Sequence, residues 1–201
     1  MRDELAMGFD ALAGCERAVA VFGSSRTREG HPTYDLGRTV GRALADAGFT
    51  VITGGGPGAM EAANRGAKEG GGRSIGLAID LPLQEPANPY LDLRLDFHYF
   101  FARKVMFVRY SGAFVVLPGG YGTLDELFEA LTLIQTGKIR FFPVILVGTD
   151  FWSDLVGWLR ARLLEEGTIS ADDLDLVRVT DSPDEVVAVC RAAADAQWGR
   201  R

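Results

Sequence analysis

Seven short runs of aliphatic and β-branched residues, separated almost throughout by helical patterns, constrain this chain more than any other feature. The runs are RAVAVFG (17–23), FTVITG (49–54), RSIGLAID (73–80), LDLRLDF (91–97), AFVVLP (113–118), PVILVG (143–148) and LDLVRVT (174–180). Between them, residues 33–47 set Leu36, Val40, Ala43, Leu44 and Ala47 on one face, and residues 123–136 do the same with Leu124, Leu127, Phe128, Leu131 and Ile134. Both follow the 3.6-residue period of an amphipathic helix. Strands of nearly continuous Val, Ile and Leu are covered on both faces, and regular strand-helix alternation builds parallel sheets. The expected fold is therefore α/β: a Rossmann-like, doubly wound, mostly parallel sheet flanked by helices. A length of 201 residues supports one core of that kind, so a single domain spanning 1–201 is expected, with residues 1–16 as a helical N-terminal extension.

The charge balance narrows the partners. A formal net charge of −6 opposes the broad basic field with which proteins collect nucleic acids, while leaving room for a small anion held locally. Cys15 and Cys190 are the only cysteines and form no metal-binding or redox spacing, which fits idle thiols in a reducing cytoplasm. The acidic start MRDELAMGFDALAG resembles neither a signal nor a transit peptide, and no uncharged run nears the ~20 residues of a membrane span. A cytoplasmic protein that contacts neither membrane nor nucleic acid is expected. His31 and His98 pair with no nucleophile or metal ligand in the sequence, so ordinary structural roles are expected for both and no metal site is visible.

In open parallel sheets, ligands bind beyond the carboxyl ends of the strands. Three connections leave such ends here with unusual chemistry: FGSSRTREG after the first run, TGGGPGAM after the second and PGGYGT after the fifth. Glycine removes Cβ atoms where a ligand touches backbone, and a glycine turn entering a helix aims unpaired N–H groups outward, a ready phosphate site. Tight strand-to-helix turning without a ligand explains TGGGPGAM equally well. Neither turn is a standard nucleotide motif. TGGGPGAM has Ala59 where GxGxxG ends, and no GxxxxGK[ST] occurs.

Two readings stand for Glu126. Thr123-Leu-Asp-Glu126 has the spacing of a capping box, in which both side chains merely satisfy backbone donors. Alternatively, Glu126 is a catalytic carboxylate one turn behind a bound phosphate. The segment HYFFARKVMFVRYSG bears on the choice: it reads as a largely buried apolar helix interrupted by Arg103 and Lys104. Either the two cations snorkel to water or they meet anions, namely a phosphorylated ligand and Glu126. Asp125 and Glu129 read as a solvated acidic stripe. The Pro-rich connection LPLQEPANPYL (81–91) is either a substrate-edge loop or a plain crossing.

Together, GGGPGAM, the RK of FFARKVMF and PGGYGTLDE resemble the LONELY GUY family of cytokinin-activating phosphoribohydrolases, whose signature is PGGxGTxxE. The resemblance spans roughly residues 17–150 and extends to FGSS and EALTLIQTGK. It implies hydrolysis of the N-glycosidic bond of an N6-substituted adenosine 5′-monophosphate, or of AMP, to free base and ribose 5-phosphate. It also implies a homodimer or larger homo-oligomer and no cofactor. Carried over by position, Arg103 and Glu126 match the catalytic pair. Ser24, Gly55, Gly56, Met60, Lys104, Gly119, Gly120, Tyr121, Gly122 and Thr123 match nucleotide-binding positions, and Glu85 and Thr132 are weaker counterparts. FARKVMF replaces the ERKAEM of many plant members, so the chain is similar to a bacterial branch of the family, with prenylated adenine and adenine both open as the base. A carrier of a nucleotide or of molybdenum cofactor on the same fold is the alternative. A pyridoxal-dependent lysine decarboxylase, a label sometimes attached to this family, lacks a lysine in a fitting context.

Overall fold

The computed structural model describes residues 1–82, 86–140 and 142–198. Its centre is a seven-stranded sheet in the order β4-β3-β2-β1-β5-β6-β7, with every pairing parallel. The strands are β1 (Ala18–Phe22), β2 (Thr50–Thr53), β3 (Ser74–Ile79), β4 (Leu93–Phe97), β5 (Ser111–Val116), β6 (Val144–Val147) and β7 (Val177–Thr180). The central strands β1, β5 and β6 are buried at every residue, as unbroken aliphatic runs require. The edge strand β4 instead buries only Leu95 and Phe97, matching its alternating LRLDF.

Helices cover both faces. On one lie α1 (Arg2–Leu12), α4 (Phe100–Tyr110), α5 (Tyr121–Gln135) and α6 (Thr149–Trp158), which join β1 and β5 in a core around Phe22, Phe107, Phe114 and Trp152. On the other lie α2 (Pro32–Asp46), α3 (Ala59–Glu69) and α7 (Pro183–Trp198), packed on Val19, Val21, Val115 and Ile145. The α2–α3 contact is very close. A Cβ at Gly41 would collide with the Ala63 backbone, and one at Gly66 with the Arg38 backbone.

All seven expected strand runs contain an observed strand, and two departures are informative. The last run was expected to be strand from 174, but Asp172–Leu176 is a 3₁₀ turn, held where Asp173 accepts hydrogen bonds from Ser170 N and Gln135 Nε2, both at 2.8 Å. The helix α4, expected to be largely buried, buries only Ala102, Met106 and Phe107, and leaves Phe100, Phe101 and Val105 at 42–49 % exposure. Among the described residues, no element covers its apolar outer face.

Because β1 is followed on one side by β2 and on the other by β5, the connections leaving these strands diverge. The crevice between the carboxyl ends of β1 and β5 is the switch point at which ligands bind in this architecture. Two backbone hydrogen bonds pin the loops there, Leu117 N to Phe22 O at 2.8 Å and Ser24 N to Pro118 O at 3.1 Å.

Candidate active site

A cavity of about 770 Å³ opens at this switch point. The loop after β1 contributes Ser24 and Arg26, the turn after β2 contributes Gly55, Gly56 and Met60, and the start of α5 contributes Gly120, Tyr121, Gly122, Thr123 and Glu126. From α4 come Phe100, Arg103 and Phe107, and from the β3–β4 side come Ile79, Leu81 and Arg94. The three unusual connections thus converge on one hollow, as their chemistry suggested.

Where α5 begins decides between the two readings of Glu126. The cap residue is Gly120, no side chain caps the helix, and Thr123 sits inside the first turn. Thr123 closes over Gly119 instead, its Cβ lying 2.6 Å from where a Cβ on Gly119 would be. With the cap at Gly120, Glu126 is too far along the helix to reach a capping position. Its carboxylate turns inward, where Arg103 Nη2 donates to Oε1 at 3.3 Å and Lys104 Nζ stands 3.5 Å from Oε2. The capping-box reading therefore fails. The uncapped amides at the start of α5 keep the positive end of the helix dipole facing the cavity.

The cations of α4 do not snorkel. The Arg103 and Lys104 side chains are only 13 % and 14 % exposed. Lys104 Nζ is clasped by Glu129 at 2.6 Å and Asp125 at 2.9 Å, in addition to Glu126, so those two acids, although Asp125 stays exposed, are partners of a buried cation and more than a solvated stripe. Arg103 lies against the rings of Phe100 and Phe107, 5.3 and 5.7 Å from their centroids, and its buried Nε has no hydrogen-bond partner among the described residues.

Burial sets the electrostatics. Desolvation pushes the Glu126 carboxyl above its usual range, and Lys104 and then Arg103 pull it part of the way back. Burial lowers the Arg103 guanidinium, an effect that Glu126 and Asp125 oppose. For Lys104, burial also lowers the affinity for a proton, yet hydrogen bonds to Glu129 and Asp125 outweigh it and hold the ammonium above the ordinary range. A buried carboxyl group flanked by two cations, in a hollow with donor amides and a guanidinium nitrogen that has no hydrogen-bond partner among the described residues, suits an anionic ligand on which positive charge develops.

Three expected site residues lie apart from the cavity wall. Lys104 stands behind Glu126, and Gly119 lies beneath Thr123. Thr132 donates to Phe128 O at 2.7 Å and faces an outer groove with Tyr121, Leu124, Asp125 and Phe128. Glu85 lies outside the described residues.

Sequence reasoning missed Arg26 and Arg94. Arg94 donates to Asp96 through Nε and Nη2, the latter to Oδ1 at 2.6 Å, whereas Arg26 has no ion-pair partner among the described residues. Arg26 directly follows FGSS, the signal that would have found it. Also missed was a buried amide relay behind the second glycine turn. Asn64 accepts from Thr53 Oγ1 at 2.6 Å and Asn88 Nδ2 at 3.0 Å and donates to Ser74 Oγ at 2.8 Å. Asn88 in turn holds Gly55 O and Gly56 O, each at 3.0 Å. Both histidines are structural: His31 caps α2 through Thr33 N at 3.2 Å, and His98 sits 3.7 Å from Asp80.

The chain is similar to several known proteins. A family model described as possible lysine decarboxylase matches residues 60–190. A cytokinin riboside 5′-monophosphate phosphoribohydrolase of Mycobacterium tuberculosis is 34 % identical over 161 residues, covering 78 % of this chain and 84 % of that protein. One from Arabidopsis thaliana is 29 % identical over 177 residues, covering 85 % and 80 %. The solved molybdenum cofactor carrier protein of Chlamydomonas reinhardtii shares the fold, with a TM-score of 0.65 and 23 % identity over 89 % of this chain and 98 % of its own. Set beside PGGYGTLDE and the Arg103–Glu126 contact, these matches place the chain in the LONELY GUY family, whose members in mycobacteria and plants carry the name cytokinin riboside 5′-monophosphate phosphoribohydrolase.

Proposed function

We propose that the protein hydrolyses the N-glycosidic bond of a nucleoside 5′-monophosphate, an N6-substituted adenosine 5′-monophosphate or AMP, releasing free base and ribose 5-phosphate. One observation carries this reading: Glu126 is buried, held by Arg103 at 3.3 Å, and set one turn behind the uncapped start of α5 within a cavity of mononucleotide size. The amides of residues 120–123 hold the 5′-phosphate, with the Arg26 charge nearby. The anchored phosphate places the ribose over Glu126, so that binding of a remote group aligns the reacting atoms. As the C1′–N9 bond breaks, its electron pair leaves with the base and positive charge builds on the sugar. The Glu126 carboxylate stabilises that charge and takes a proton from the water whose oxygen bonds to C1′, while the departing base gains a proton. Arg103 orients Glu126 and contacts the ribose or phosphate oxygens. No metal or cofactor enters this chemistry.

The same reading takes the protein as a cytoplasmic homo-oligomer. Phe100, Phe101 and Val105 of α4 and Tyr121 and Phe128 of α5 are exposed beside the cavity, and a second copy covering them would bring Thr132 of the outer groove into an enclosed site. Among the described residues no helix is long and apolar enough to cross a membrane. The carrier reading draws on likeness of fold alone, and a carrier has no use for a buried carboxylate clasped by two cations. A lysine decarboxylase needs a lysine free to form an imine, whereas Lys104 is engaged by three carboxylates and lies off the cavity wall.

The test is incubation with isopentenyladenosine 5′-monophosphate, AMP and the matching nucleosides, following free base and ribose 5-phosphate. Turnover of the monophosphates is expected, with nucleosides reacting poorly. Glu126→Gln is expected to lower turnover by about 10²-fold or more in a folded protein. Nucleosides consumed as fast as monophosphates, or a near-normal Glu126→Gln enzyme, would overturn the reading.

A further inference from the structure

The segment before β1 reaches the site through α4. Helix α1 precedes the residues matched by the family model, yet its contacts advance in step along α4. Half-buried Glu4 meets residues 98 and 99, buried Gly8 meets Met106, and Phe9 meets Tyr110. A Cβ on Gly8 would lie 2.7 Å from Met106 Sδ, and Tyr110 Oη donates to Phe9 O at 3.2 Å. Leu12 is fully buried.

The informative contact is at the start of α4. That helix supplies no cap of its own: Tyr99, the cap residue, makes no side-chain bond, and the first turn contains no acid. Glu4 Oε2 accepts from both His98 N and Tyr99 N at 3.2 Å, a carboxylate brought from 94 residues away to the positive end of the helix. The first turn of α4 then closes through the backbone of Arg103 itself, whose N donates to Tyr99 O at 3.3 Å. The Arg103 side chain has few other constraints. Both rings that flank it, Phe100 and Phe107, belong to α4, its Nε is unpartnered, and its one carboxylate contact is long. The placement of its guanidinium against Glu126 therefore follows the first turn of α4, and that turn is held by Glu4.

We infer that α1, through Glu4, is a positioning element for Arg103. This rests on the hydrolase reading for its kinetic test and on geometry alone for its structural one. Glu4→Ala is expected to lower kcat for a nucleoside 5′-monophosphate about fivefold or more with KM within about twofold, since orientation and not substrate affinity is lost. Glu4→Gln keeps an acceptor oxygen on the two amides and should recover at least half of kcat. Ser182→Ala is the control: it removes a cap bond, Glu185 N to Ser182 Oγ at 3.3 Å, from α7 on the opposite face, and should lower Tm without touching kcat. Should Glu4→Ala not fold, Glu4→Asp, one methylene short, is expected to show the same kcat loss in milder form. The inference is overturned if the Glu4 variants lower Tm at unchanged kcat, if Gln fails to rescue, or if Ser182→Ala lowers kcat equally. A wild-type protein without hydrolase activity would count against the functional reading only. Crystal structures then decide this one, with the Arg103–Glu126 contact expected to be lost in Glu4→Ala, and an unchanged contact refuting it.

Discussion

Two glycine turns face each other across the cavity, and they use glycine for opposite reasons. In the turn after β2, Gly55 and Gly58 have φ of +72° and +74°. A Cβ on Gly58 would strike Ser24 O and lie 2.6 Å from Ser25 O. The carbonyls of Gly55 and Gly56 are held by Asn88, Gly55 N is held by Thr53 Oγ1 at 2.9 Å, and Ala59 N by Ser24 O at 2.9 Å. In the turn after β5, neither Gly120 nor Gly122 has a positive φ, and a Cβ on either would meet no atom of the described residues within 4 Å. The fold demands the first pair of glycines. Nothing in the fold demands the second pair, so the reason for them must be sought in what approaches the start of α5.

The largest effect expected from this contrast is on stability. Gly58→Ala adds a Cβ against two backbone carbonyls at a φ that L-residues disfavour by about 1–2 kcal/mol, before the collision is counted. Because backbone atoms cannot move aside as a flexible side chain can, the total should reach about 3 kcal/mol or more. Thermal and urea unfolding will read it, and a variant as stable as wild type would remove the structural half of the comparison.

Gly122→Ala should do the reverse. At a helical position with room around it, alanine is favoured over glycine by up to about 1 kcal/mol, so Tm should hold or rise. Yet the added methyl stands where a phosphate approaches the amides, and kcat/KM for a 5′-monophosphate should fall about tenfold or more, equivalent to about 1.4 kcal/mol. Inorganic phosphate, as a competing ligand, should weaken in parallel. A variant that is more stable and fully active would show that these glycines serve nothing that binds.

Much of this was legible in the residues, for reasons that also mark its limits. Continuous aliphatic strands and helical periodicity encode layers and parallel pairing locally, and FGSS, GGGPG and PGGYG announce loops at strand ends. Arg103 and Lys104 were conspicuous because cations inside an apolar helix need anions. Which glycine turn is structural was not legible, since that depends on Ser24 and Asn88 arriving from other segments. The helix start at Tyr121, two residues ahead of the expected 123, was equally hidden, and it alone turns Glu126 from cap to buried carboxylate. The pairing of Lys104 with Asp125 and Glu129 and the reach of Glu4 to residue 98 cross between helices, where no i, i+4 rule applies.

The smallest expected effect concerns the carboxylate behind the second turn, and it sharpens the claim that this turn and Glu126 act together. If rate depends on ionised Glu126, activity rises with pH through the folded-state pKa of that group. Desolvation raises this pKa, so the acid limb of kcat should lie above the ordinary glutamate range. Lys104 is the foremost influence in the opposite direction. Lys104→Met removes it and also leaves Asp125 and Glu129 as unneutralised negative neighbours, so both changes disfavour ionisation of Glu126 and the limb should move further up. The variant should thus lose proportionally more activity at pH 6 than at pH 8. Gly122→Ala perturbs the phosphate and not the carboxylate, and should lower the rate with the limb in place. Were Lys104→Met to scale the rate equally at every pH, Glu126 would not be the group whose ionisation limits turnover, and the second glycine turn would have to be paired with another residue.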